Sequence, residues 1–253
     1  MLSLSSIALI IYTVASAIVG VRLLTRASRS HGVPELLAGI SYVAAPALGY
    51  PMVIVASMMA NRAIAVPVYV VGEILLVSGC CCFLFFTMTV FRPGSVWAMW
   101  TAGFGTAVLA WSGLAITRAY LSSTDPLEIA AHARAGLTAM VTVLALSYVW
   151  TALEGLRYYR MMRKRLALGL ADPVVTNRFF LWTCSGLISV AWISVSAVML
   201  AAGANLATNP INVSVTCAGG IANTVLLVLI FMPPAAYSRW ITRSARAPEL
   251  ATV

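Results

Sequence analysis

The chain has 253 residues, of which 61% are hydrophobic and 9% charged, with a mean hydropathy of +0.95. Soluble domains carry about 25% charged residues, so this composition excludes an ordinary water-soluble globule and leaves little length for a soluble domain beside a helical membrane bundle. The net charge of +9, from 16 Lys+Arg against 7 Asp+Glu, would point to nucleic acid in a soluble protein; here the placement of the charges in loops explains it, and no nucleic-acid partner is expected.

Crossing the hydrocarbon core takes about 20 apolar helical residues. Seven stretches qualify, at about 3–24, 34–60, 66–91, 96–117, 135–157, 173–202 and 211–232. The first has no basic residue before its apolar run, and Arg22 comes only after it, so it reads as a retained span with its N-terminus outside rather than a cleaved signal. Pro34-Glu35 opens the second span, since Pro is tolerated in a first turn and Glu complements the helix dipole there. Pro46 and Pro51 lie inside that span and predict a kink. The third span carries one acid, Glu73, and three consecutive cysteines, Cys80, Cys81 and Cys82.

Arg92-Pro93-Gly94-Ser95 is a tight turn into the fourth span, marked by Trp97, Trp100, Phe104 and Trp111. Asp125-Pro126-Leu127-Glu128 is a helix start, with Asp as N-cap and Glu at the capping-box position. The fifth helix therefore either begins outside the membrane near 126 or breaks at Gly136 and restarts. No breaker follows until Gly169, which predicts a projection beyond the bilayer through Arg157, Arg160, Arg163, Lys164 and Arg165. Asp172-Pro173 opens the sixth span in the same way, and Pro233-Pro234 ends or bends the seventh. Tyr237, Trp240 and Ile241 beside Arg239, Arg243 and Arg246 suit a short amphipathic helix on the membrane surface.

With the N-terminus outside, thirteen of the 16 basic residues fall on the cytoplasmic side, and only Arg62, Arg118 and Arg134 fall outside. This bias fits the positive-inside rule. The expected fold is an all-α integral membrane protein: a seven-transmembrane-helix bundle over residues 1–235, N-terminus outside and C-terminus cytoplasmic, with a short basic tail at 236–253. The short loops and the Arg- and Ala-rich composition place it in a bacterial inner (plasma) membrane. The topology resembles that of seven-helix receptors. Pro234-Ala235-Ala236-Tyr237 is similar to the receptor Asn-Pro-x-x-Tyr motif with Pro233 in place of the Asn; the likeness is topological, covers a handful of residues and implies no family.

Glu73 is the first candidate for chemistry, because an ionisable side chain at membrane depth is costly and marks a functional site by default. Tyr69, four residues earlier, shares its face. The pair reads either as a proton or cation site or ligand anchor, or as a carboxylic acid hydrogen-bonded to a neighbouring helix. Arg62, Arg118 and Arg134 are the basic groups within reach. Trp182, Ser185, Ser189, Trp192 and Ser196 form a stripe on the sixth span, and Asn212, Thr216, Gly219, Gly220 and Asn223 follow similar spacing on the seventh. Such faces serve helix packing in lipid or, with their Trp residues, line a small-molecule cleft. Glu73, Tyr69, Trp111, Ser185, Ser189, Trp192 and Asn223 thus make up the candidate intramembrane pocket, for a small hydrophobic or polar ligand.

The cysteine triplet reads as packing, since successive helical residues point about 100° apart and cannot share a metal. Glu154 and Arg157, three apart, read as a local ion pair. The run Arg157, Arg160, Arg163, Lys164, Arg165 reads as topogenic charge in contact with anionic lipid, or as a docking site for a cytoplasmic or membrane protein partner. The only lysine, Lys164, lies outside the spans, so no Schiff base to retinal is expected, and neither His31 nor His132 is embedded to ligate haem. No catalytic constellation is visible, and no enzymatic activity, cofactor or metal is expected. Three functions fit: a ligand- or state-sensing module that signals to a cytoplasmic partner, a small-solute or proton-coupled transporter using Glu73, and a structural or accessory subunit of a membrane complex.

Overall fold

The structure is a computed structural model and describes residues 4–203 and 209–250. Residue 3, at which the first span is expected to start, and the last three residues of the tail lie outside the described residues. Among the described residues the chain is all-helical, and seven of its helices are long and apolar enough to cross a membrane. The helices are α1 (Leu4–Ser30), α2 (Val33–Tyr42), a π-helical segment (Val43–Gly49), α3 (Tyr50–Met58), α4 (Arg62–Phe91), α5 (Val96–Ser122), α6 (Pro126–Ala167), α7 (Pro173–Ala201), α8 (Pro210–Phe231) and α9 (Ala235–Leu250).

Short polar side chains start the helices. The carboxylates of Asp125 and Asp172 and the amide oxygens of Asn61 and Asn209 accept from free backbone N–H groups of the first turns of α6, α7, α4 and α8. Helix α6 ends at Gly169, whose φ of 70° permits the Leu170 N–H to bond back to Arg165. No break occurs at Gly136: α6 runs unbroken for 42 residues, about 63 Å. That is twice the roughly 30 Å of a hydrocarbon core, so its far turns stand clear of the bundle. The predicted kink in the second span is the π segment around Pro46. A π-helix shifts the hydrogen-bond ladder by one residue and absorbs the N–H that proline lacks. Pro51 follows directly in the same continuous helical run, and the Pro46 carbonyl, five residues before it, accepts from the Thr13 hydroxyl of α1 (3.3 Å).

Each span packs against the next in the chain, and α8 returns to α1, so the seven close into a ring. Neighbours run antiparallel. Gly155 of α6 lies against Thr183 of α7, while Gly186 of α7 lies against Ala152 and Tyr148 of α6. Small residues mark the closest approach: Gly79 of α4 sits on Ala45 and Ser41, and Gly49 sits on Leu76 and Gly72. The alternation gathers the C-terminal turns of α1, α4, α6 and α8 at one end with α9, here called the basic end; Arg62, Arg118 and Arg134 lie toward the other. Helix α9 returns along α7, where the Asn177 amide donates to the Tyr237 hydroxyl (2.6 Å).

Candidate functional site

Glu73 lies on the inward face of α4, eleven residues or about 17 Å along its axis, and is only 4% exposed. Its Oε1 has no hydrogen-bond partner, and a Cβ on Gly113 of α5 would stand 3.5 Å from it. The missing side chain of Gly113 is thus what gives the carboxyl room. One turn nearer the end opposite the basic one, Tyr69 stacks flat on Tyr120 of α5, with ring centroids 3.7 Å apart. The Arg62 guanidinium covers the far side of Tyr120 at 4.2 Å and donates to the carbonyls of Tyr120 and Ser123. The expected basic neighbours therefore do not pair with Glu73: Arg62 caps the tyrosines, Arg134 donates to the Ala201 carbonyl, and Arg118 is exposed.

Ser185, Ser189 and Asn223 are brought together, but away from Glu73. They line a cavity of about 50 Å³ at the centre of the ring, with Tyr12 from α1, Tyr42 from α2, Pro46 from the π segment, Cys80 from α4 and Tyr148 from α6. Every span except α5 contributes. Ser185 donates to Asn223 Oδ1 (2.7 Å), and Asn223 Nδ2 donates to Ser189 (3.3 Å). About 10–15 Å³ suffices for one water, so the cavity admits a few waters and falls far below the roughly 300 Å³ at which small-molecule sites begin.

Besides Glu73 and Tyr69, two further members of the predicted pocket lie outside this cavity. Trp111 is 52% exposed, on the outer face of α5, whose inner face is built from Ala98, Ala102, Gly105, Leu109, Ser112 and Gly113. Trp192 sits between α7 and α8: its ring packs over Gly219 and its Nε1 donates to Thr216 (3.1 Å). With Ser196 donating to Asn212 Oδ1 (2.9 Å), the part of the Trp/Ser stripe nearer the C-terminus of α7 is an interhelical zipper, and only Trp182, Ser185 and Ser189 face the cavity. Asn223→Ala removes both serine bonds. Interhelical hydrogen bonds in bilayers average about 0.6 kcal/mol, so a loss of about 1 kcal/mol is expected in reversible unfolding from mixed micelles, with the fold retained.

The polar interior continues toward the basic end. Thr151, on the cavity wall, shares a hydrogen bond with Thr87 of α4 (3.0 Å). Glu154 lies one turn further on α6. Its predicted partner is Arg157 of the same helix; the structure pairs it instead with Arg92, the residue that follows α4, Nε to Oε1 at 2.6 Å. Arg92 is 29% and Glu154 7% exposed. The reason is direction: Glu154 points into the bundle, where the chain leaving α4 delivers Arg92, while Arg157 points outward. Trp97 holds Arg92 from the other side, 5.4 Å from its ring centroid. Glu154 Oε2 has no hydrogen-bond partner. The only sequence signal for this pair is an arginine just after one span and an acid near the matching end of another.

Arg157, Arg160 and Lys164 lie along one exposed face of α6, and Arg163 and Arg165 lie off it. Cys80, Cys81 and Cys82 are free thiols, the first buried and the others half-buried. Among the described residues no three His, Cys, Asp or Glu side chains are grouped to hold a metal. Comparison with family profiles, with curated proteins and with solved structures returned no match.

Proposed function

We propose that this protein is a state-sensing module of a bacterial inner membrane, set with its basic end in the cytoplasm, where a partner reads the position of α6 and α9. One observation carries the reading. The Arg92–Glu154 pair, its carboxylate buried and its guanidinium half-buried, ties the end of α4 to α6 at the root of the projecting turns, one turn beyond the Thr87–Thr151 hydrogen bond that borders a cavity lined by six spans. A two-state element that both a sensing site and an output contact is what coupling requires. Glu154, with one carboxylate oxygen engaged and one not, suits an ion pair that is made in one state and released in another. The orientation follows the charge bias.

The transporter alternative draws on Glu73, but Glu73 is absent from the cavity wall, and the cavity is the size of a few waters. In proteoliposomes loaded with a pH-sensitive dye, the expected result is no proton flux above that of protein-free vesicles, in wild type and Glu73→Gln alike. A flux present in wild type and lost in Glu73→Gln would replace sensing with carriage. Glu73→Gln breaks no ion pair and no hydrogen bond to Oε1, so its unfolding midpoint is expected to stay at the wild-type value or above. An accessory subunit, the third alternative, would co-purify with a stoichiometric membrane partner whatever the state of the Arg92–Glu154 pair.

A further inference from the structure

Where α6 leaves the bundle, a shallow groove between the side chains of this one helix runs along its outward face, lined by Leu153, Leu156, Arg157, Arg160, Met161 and Lys164. Spacings of three and four keep these six on one face. The contacts of Tyr158 set the level of this face against the end of α4. The Tyr158 hydroxyl donates to the carbonyl of Phe91 (3.3 Å), and the two rings meet edge to face at 5.4 Å. Tyr158 is therefore level with the last residue of α4, just before the Arg92–Ser95 turn. With the bilayer boundary set at that turn, where the apolar run of α4 ends, Leu153, 63% exposed, and Leu156 fall at the depth of hydrocarbon, Arg157 at the boundary, and Arg160 and Lys164 beyond it.

We propose that this groove binds an anionic phospholipid, with an acyl chain along Leu153 and Leu156 and its phosphate among Arg157, Arg160 and Lys164. The three cations span about 10 Å of helix axis, enough to cross the roughly 5–8 Å headgroup layer of one leaflet. Charge selects the occupant. No acid lines the groove, because the one nearby, Glu154, is turned inward onto Arg92. An acidic polypeptide would satisfy the arginines but would leave the two leucines, at hydrocarbon depth, to lipid. Arg163 and Arg165 supply the same charge at the same level without lining the groove, and Arg163 is held over the Tyr159 ring at 5.9 Å. The inference goes beyond the sensing reading and holds whether or not that reading does.

The test is native mass spectrometry of the full chain in detergent, titrated with phosphatidylglycerol or phosphatidylcholine. Wild type is expected to retain one phosphatidylglycerol in preference to phosphatidylcholine. Arg160→Gln/Lys164→Gln is expected to weaken that retention roughly tenfold or more, since each cation near an anionic headgroup contributes substantially. Arg163→Gln/Arg165→Gln removes the same charge and is expected to change it less than twofold. All four side chains are exposed, so both variants are expected to unfold at the wild-type midpoint. Equal losses in the two variants would reduce the effect to diffuse charge and overturn the site. So would equal retention of phosphatidylcholine, or a stoichiometric acidic polypeptide held in place of lipid and lost only in the groove variant.

Discussion

Arg92→Ala is expected to cost the bundle about 3–5 kcal/mol, because it removes the one cation that pairs with the buried Glu154 carboxylate among the described residues. Glu154→Ala is expected to cost less, since Arg92 is more exposed and keeps Trp97. Replacing both, as Arg92→Met/Glu154→Met, is expected to recover most of the loss, because removing a buried pair whole also removes its desolvation penalty. Arg92→Met, Glu154→Met, the double variant and wild type form a double-mutant cycle, read by reversible unfolding in mixed micelles. Additive losses would mean that the two side chains stabilise the fold separately.

Gly79→Leu is expected to abolish assembly of the ring. A Cβ at this position would meet the backbone nitrogen of Ala45 at 2.5 Å and its Cβ at 2.7 Å. Backbone in the π segment cannot swing aside as a side-chain tip can. Overpacking a filled site costs about 1–3 kcal/mol; Gly79→Ala is expected near the top of that range, and the branched variant beyond it. Gly103→Ala is the control, since a Cβ there meets nothing within 4 Å, and the helix propensity gained is about 1 kcal/mol at most. Circular dichroism and size-exclusion profiles of the three variants separate the outcomes. A normally assembled Gly79→Leu would show that α4 and the π segment do not touch as described.

The spans were legible because the property that makes them, a long apolar run, is written locally. So were the starts of α6 and α7, where Asp125 and Asp172 stand just before a proline. What faces what was much less legible. In a bilayer the solvent is as apolar as the core, so hydrophobicity no longer distinguishes inside from outside. Trp111 looked like a pocket residue because it is large and has a polar edge, yet along most of α5 the small residues turn inward and Trp100, Phe104 and Trp111 turn outward. Glu73 and Ser185 both read as interior polar groups and both are interior, but nothing in their spacing separates the α4–α5 interface from the centre of the ring. The Arg92–Glu154 pair was hidden by a nearer partner. Arg157 stood three residues from Glu154, and only the direction in which α6 presents each side chain excludes it.

The central claim is that the Arg92–Glu154 pair holds the projecting turns of α6 in one of two positions. Spin-label distances between Ser28 at the end of α1 and Leu168 at the tip of α6, with labels carried on unnatural amino acids to leave the native cysteines in place, test it most directly. Wild type is expected to show one dominant distance. Glu154→Gln is expected to add a second population at the basic end, while a control pair at Ala63 and Ser122, both exposed at the opposite end, keeps a single distance. An unchanged α1–α6 distance in Glu154→Gln, in a variant that is folded, would contradict the claim and leave the pair as a structural tie alone.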